Sequence, residues 1–177
     1  MYGFVRLADE IVDSFHDYDK VYLMKKFRAD TVDALENKIS LNPILNSFQQ
    51  TVHSYGIEWE LIDTFLISME TDLKSTVHDK ESYDRYILGS AEVVGLMCLR
   101  IFTELDSNLY DALKPPAMKL GSAFQKINFL RDLKADYYDL GRTYFPEVDF
   151  EKFSSAEKEI IQADIEGEFN AALEGIK

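Results

Sequence analysis

Two acidic pairs with one spacing lie far apart in this chain: Asp9-Glu10-Ile11-Val12-Asp13 and Asp132-Leu133-Lys134-Ala135-Asp136. Both fall in stretches of helical periodicity, where residues four apart stack on one face. A single Asp-x-x-x-Asp pair is most often a solvated face. Two such faces meeting across a cavity would converge four carboxylates. That is a site for hard divalent cations, and Mg²⁺ held this way usually takes phosphate oxygens as well.

The neighbouring residues sharpen this reading. At about 100° per residue, Arg6, Asp9 and Asp13 share a narrow arc, and Glu10 falls near it. Gln125, Asn128, Asp132 and Asp136 share another, in steps of three, four and four. Elsewhere both helices are largely apolar: Phe4, Val5, Leu7, Ala8, Ile11, Val12 and Phe15 on the first, and Phe124, Ile127, Phe129, Leu130 and Leu133 on the second. A helix that is apolar around most of its circumference is buried. A carboxylate there is costly unless paired or bound to metal.

The elements that must position these residues are all helices, and no strand alternation or hairpin dipeptide stands out. The periodicity predicts a helix over about Tyr2–Phe15, a loop at 16–19 and a second helix over Lys20–Asn37. Asn42-Pro43 reads as a cap followed by proline at the first helical position, with the helix ending at Tyr55-Gly56. Further helices are expected over Glu58–Thr71 and, as one long rod, Ser82–Leu105. Pro115-Pro116 reads as the start of the second acidic helix, which runs to about Leu140 before Gly141. Ser154-x-x-Glu157 is a capping box for a last helix ending near Leu173. No repeat or linker divides the chain, so residues 1–177 are expected to form one all-α unit.

Composition narrows the function classes. The chain has 177 residues, 46% hydrophobic and 13% aromatic, enough for one real core. A formal net charge of −13 argues against nucleic acid and disfavours simple adhesion to anionic lipid. The one cysteine, Cys98, lies in an apolar run and is expected in the core, so no internal disulfide forms. His16, His53 and His78 are scattered, without partners at metal-ligand spacing. No signal peptide or membrane-length apolar span is visible. The expected location is the cytoplasm, with contact at a membrane surface and homo-oligomerisation left open. Met1 opens directly into an apolar helix, which suggests a fragment or an internal start.

Three motifs in order carry a resemblance. Tyr2-Gly3-Phe4-Val5-Arg6-Leu7-Ala8-Asp9-Glu10-Ile11-Val12-Asp13 resembles the first aspartate-rich helix of the squalene/phytoene synthase family. Tyr83-Asp84-Arg85-Tyr86 with Ala91-Glu92-Val93-Val94-Gly95-Leu96-Met97 resembles its middle signature. Gln125-Lys126-Ile127-Asn128-Phe129-Leu130-Arg131-Asp132, continuing through Asp136 to Gly141-Arg142-Thr143-Tyr144-Phe145-Pro146, resembles its second aspartate-rich signature. The resemblance implies an all-α isoprenoid-synthase bundle around a central cavity. It also implies head-to-head condensation of two prenyl diphosphates, farnesyl or geranylgeranyl, through a cyclopropyl diphosphate. It assigns Asp9, Asp13, Asp132 and Asp136 to Mg²⁺ (or Mn²⁺) and diphosphate binding, and Arg6 and Arg131 to phosphate. Gln125 and Asn128 would line the site, and Tyr86 and Tyr144 would face the reacting prenyl groups.

Such chemistry suits the residue types. Cations neutralise a departing diphosphate, apolar walls exclude water, and aromatic faces favour a carbocation. Tyr86, Ser90, Val94 and Met97 follow helical spacing and would form such a wall, although the same pattern also describes ordinary core. The chain departs from the family in several ways. The family's N-terminal segment and later helices have no counterpart, so the bundle is expected to be incomplete at both ends. Glu92 replaces a small residue, and Ala135 an acidic one. The stretch from Asp136 to Tyr144 is one residue longer than the family's. Arg131 points off the Asp132 face. Three other readings stand beside the enzyme: a non-catalytic scaffold or assembly protein of the same fold, an inactive fragment, and a single-substrate terpene cyclase.

Overall fold

A computed structural model describes residues 1–73, 79–135, 145 and 154–176. These form eight α-helices and one π turn, with no strand among the described residues: α1 Tyr2–Asp13, α2 Lys20–Asn37, α3 Pro43–Tyr55, α4 Trp59–Asp72, α5 Lys80–Ile87, the π turn Leu88–Glu92, α6 Val93–Phe102, α7 Ser107–Ala135 and α8 Ser155–Leu173.

Local signals set most of the ends. Asp19 Oδ1 accepts from the Tyr22 amide at 2.9 Å and opens α2. Asn42 Oδ1 accepts from the Ile44 amide at 3.0 Å and opens α3, with Pro43 at the first helical position. Gly56 ends α3 at φ 61°, a left-handed conformation that costs glycine little. The Ser154–Glu157 capping box forms in both directions at the start of α8: the Glu157 carboxylate accepts from the Ser154 amide at 2.7 Å, and the Ser154 hydroxyl from the Glu157 amide at 3.3 Å.

Two expectations need correction. The second acidic helix starts at Ser107 and not at the proline pair; Pro115 and Pro116 lie inside it. The Asp106 carboxylate accepts from the Leu109 amide at 3.0 Å and caps a turn that precedes both prolines. The Ser82–Leu105 rod is not one regular helix either, because the π turn interrupts it. The expected helix end near Leu140 lies outside the described residues.

The main core joins α1 to α4 with the buried side of α6. Phe4 is its hub, 1% exposed, stacked on Phe48 with ring centroids 3.7 Å apart and flanked by Phe27 and Phe65 at 5.3 and 5.6 Å. A second cluster joins α5, α7 and α8 through Tyr83, Tyr86, Phe129, Ile161 and Ile165, with Phe145. A polar clamp holds α8 against α7. Lys126 donates to Asp164 at 2.5 Å and lies 3.1 Å from Glu168, while the Ser122 hydroxyl donates to Glu168 at 2.6 Å. Arg100 ties α6 to both sides of the bundle: it donates to Glu58 and its guanidinium lies 3.4 Å from the centre of the Tyr110 ring.

The π turn is wedged between α4 and α7 by two glycines. A Cβ on Gly89 would fall 2.5 Å from Ser68 Cβ, and one on Gly121 would fall 2.8 Å from the Ala91 carbonyl oxygen. Neither approach leaves room for a side chain. Ser68 also donates to the Tyr86 carbonyl at 3.4 Å across this contact.

Candidate active site

Three helices and the π turn bring polar residues to one cavity of about 290 Å³. From α1 come Arg6 and Asp9, with Tyr2 and Val5 beside them. From α7 come Gln125 and Asn128, and from α5 and the π turn come Tyr86 and Ser90. Phe65 and Met69 of α4 form the apolar side. Five residues expected from the sequence to form a site thus meet here: Arg6, Asp9, Tyr86, Gln125 and Asn128. Their spacing explains why. Arg6 and Asp9 are three apart on α1, Gln125 and Asn128 three apart on α7, and both helices turn their polar stripes inward.

The remaining expected residues are placed differently. Asp13 is partly buried one turn along α1 from Asp9, close enough for the two negative charges to affect each other, but it does not line this cavity. Asp132 is engaged by its neighbour Arg131, which donates through Nε and Nη2 at 2.8 and 2.5 Å. Neither lines the cavity. The long Arg131 side chain reaches round the helix to its neighbour, so leaving the Asp132 face does not separate the two. Asp136 and Tyr144 lie outside the described residues. Among the described residues, no three acidic, histidine or cysteine side chains form a group able to hold a metal ion.

Electrostatics in the cavity are set by partial burial and charge pairing. Burial, and then the nearby Asp13 carboxylate, hold the Asp9 carboxyl above its ordinary range; Arg6, which donates to it at 2.6 Å, acts in the opposite direction. Arg6 also bonds Glu10. The Asp132 carboxyl is held low, chiefly by the bond from Arg131.

A second cavity of about 560 Å³ adjoins the first and shares Ser90 and Gln125 with it. Its walls are apolar: Val94, Gly95 and Cys98 from α6, Ala117, Leu120 and Phe124 from α7, and Ala172 from α8. Cys98 therefore lines a cavity, half-buried, and is not a residue of the closed core; burial pushes its thiol up. Of the wall expected from Tyr86, Ser90, Val94 and Met97, Tyr86 lines the polar cavity, Val94 the apolar one and Ser90 both. Met97 is fully buried in the main core, and Cys98 takes its place. The π turn inserts one residue, which turns everything after it by about 100°. Sequence reasoning also passed over Phe65 and Met69. Their i, i+4 spacing on an apolar helix is the pattern of any core residue.

Among the described residues no helix is long and apolar enough to cross a membrane.

The chain is similar in sequence and fold to several known proteins. Over 169 residues the chain is 27% identical to a presqualene diphosphate synthase of Rhodopseudomonas palustris, covering 93% of this chain and 58% of that protein. A bifunctional lycopene cyclase/phytoene synthase of Pyrenophora tritici-repentis is 24% identical over 170 residues, which are 82% of this chain and 28% of the fungal protein. Among solved structures, a squalene synthase from Alicyclobacillus acidocaldarius superposes with a TM-score of 0.71 at 23% identity, over 98% of this chain and 67% of that one. A dehydrosqualene synthase superposes with a TM-score of 0.79 at 21% identity, over 98% and 64%. The chain thus spans about three-fifths to two-thirds of the length of its full-length single-function relatives, and at these identities the structural likeness establishes the all-α isoprenoid-synthase fold. The pattern that defines squalene/phytoene synthases matches residues 1–176, and the chain belongs to that family.

Proposed function

We propose that this chain binds prenyl diphosphates and carries the head-to-head condensation of two of them, as a phytoene- or squalene-type synthase. One observation carries the reading. The polar cavity of Arg6, Asp9, Gln125 and Asn128 adjoins, at the shared residues Ser90 and Gln125, an apolar cavity about twice its size. A charged head joined to a long hydrocarbon tail has that shape.

The residues present suit Mg²⁺, with Mn²⁺ as a substitute. Asp9 and Asp13 are hard oxygen donors close enough to raise the proton affinity of Asp9, a repulsion that a bound cation relieves. Asp9, Asp13, Asp132 and Asp136 would hold the ions. Bound there, the metal would neutralise the diphosphate and ease its departure. Arg6 would bind the phosphate oxygens, and Arg131 would reach them by exchanging its bond to Asp132. Gln125 and Asn128 would orient the head by hydrogen bonds. Tyr86, Phe65 and Met69 would keep water from the allylic cation, with the Tyr86 ring, and Tyr144 by resemblance, offering a favourable face.

In this scheme the C1–O bond of one substrate breaks and its electron pair leaves with the diphosphate. The double bond of the second substrate captures C1, and loss of a proton closes the cyclopropane. Incubating the chain with labelled farnesyl or geranylgeranyl diphosphate and Mg²⁺ tests this. The expected product carries thirty or forty carbons, twice the substrate. A product of unchanged carbon number would indicate a cyclase. Metal-dependent binding without any product would indicate a non-catalytic member of the fold.

A further inference from the structure

Five threonine hydroxyls on the helices of this protein share one habit. Those of Thr31, Thr51, Thr64, Thr71 and Thr103 each donate to the carbonyl four residues back, at 2.7 to 3.0 Å. Ser90 breaks it. The carbonyl four residues back belongs to Tyr86 and accepts instead from Ser68, at 3.4 Å, where the π turn meets α4. The Ser90 hydroxyl has no exposed surface and no hydrogen-bond partner. A buried hydroxyl in that condition is unfavourable and calls for an explanation.

Its position supplies one. Ser90 and Gln125 line both cavities and mark the neck at which the two adjoin. If a charged head fills the polar side and a hydrocarbon tail the apolar side, the atom joining them falls at this neck. The Cα–Cβ bond offers the Ser90 hydroxyl three staggered positions. We propose that the Ser90 hydroxyl donates a hydrogen bond to the ester oxygen that links C1 of the prenyl chain to its diphosphate. That oxygen gains charge as the C1–O bond breaks and the electron pair stays with the diphosphate, so a donor fixed there favours departure. Ser90 keeps its proton throughout. The assignment rests on the diphosphate reading above and adds to it a contact at the bond that breaks.

Two unreactive ligands separate this contact from general packing. A prenyl diphosphate saturated at its allylic double bond keeps the ester oxygen; an S-thiolodiphosphate replaces it with sulfur, a weak acceptor. Binding of each in Mg²⁺ is measured by calorimetry for the wild-type chain, Ser90→Ala and Ser90→Thr, with circular dichroism confirming that each is folded. Ser90→Ala is expected to weaken the oxygen-linked ligand by about tenfold, to leave the sulfur-linked ligand within about twofold, and to be rescued by Ser90→Thr. Equal losses for both ligands, or no loss for either, overturn the role of Ser90 and leave the diphosphate reading standing. Failure of the folded wild-type chain to bind either ligand overturns that reading, and this contact with it.

Discussion

Arg6 is exposed on one side, yet it bonds two carboxylates of its own helix and lines the polar cavity. An ion pair with that much exposure adds little to stability, so its presence at the cavity is better explained by binding. Arg6→Gln is expected to leave the thermal midpoint nearly unchanged and to weaken the Mg²⁺-dependent affinity for inorganic pyrophosphate about tenfold. Calorimetry and a melt on the same sample check this; a large fall in the midpoint with unchanged affinity would make Arg6 structural. The cavity's own residues were legible because their types and spacing agree: Arg6 with Asp9, and Gln125 with Asn128, each three apart on otherwise apolar helices. The rest of the polar stripes was less so. Spacing puts Asp13 and Asp132 on the same helical faces, but only the packing of α1 against its neighbours decides how far along each face the cavity extends. Nothing in the pattern of α7 showed that Arg131 would fold back onto Asp132.

At the scale of elements, the π turn between α5 and α6 decides which residues face the apolar cavity. It left no signature in a sequence that reads as one amphipathic rod, because the turn is stabilised by tertiary contacts at Gly89, Ser68 and Gly121 and not by local propensity. The start of α7 was missed for the opposite reason: a strong local signal, Pro115-Pro116, is overridden by the Asp106 cap upstream. The ends of α2, α3 and α8 were legible because their caps act locally. Gly121→Ala would push α7 off the π turn and is expected to cost about 1–3 kcal/mol, read from urea unfolding. Across the chain, Lys126 is only 10% exposed and joins Asp164 and Glu168. Burial works to raise the Glu168 carboxyl, but bonds from Ser122 and Lys126 outweigh it and hold it low. A carboxyl held low in the fold stabilises it above the unfolded-state value and loses that contribution as pH falls through the folded value. Lys126 is held high, since its two carboxylate partners outweigh the opposing effect of burial. Its contribution persists through neutral pH and is lost only as pH rises beyond the ordinary lysine range. Lys126→Met is therefore expected to cost about 1–3 kcal/mol near neutrality. That difference should shrink below about pH 4.5, the ordinary glutamate value. A difference that stays constant into acid would place the stabilisation in packing alone.

For the molecule as a whole, the main core is built round Phe4, and it supports α1 from beneath while Arg6 and Asp9 face the cavity. Phe4→Ala should cost about 3–5 kcal/mol by leaving a cavity among three aromatic rings, and the chemical midpoint of unfolding measures it. That loss would also loosen α1, so diphosphate binding should fall in parallel; retained binding in a destabilised variant would show that the site does not depend on the hub. The all-α class and the family's order of motifs were legible because helical periodicity and three separate signatures agree along the chain. The division into a polar and an apolar cavity was not, since it is made by residues from seven elements that no sequence window contains. The central claim is that the polar cavity is a metal-assisted diphosphate site. Its most direct test is calorimetric titration of the folded chain with an unreactive farnesyl diphosphate analogue, in Mg²⁺ and then in EDTA, for the wild type, Asp9→Asn and Asp132→Ala. Binding in Mg²⁺ that is abolished by EDTA and strongly weakened in both variants is the expected result. Binding indifferent to metal and to both aspartates would contradict it.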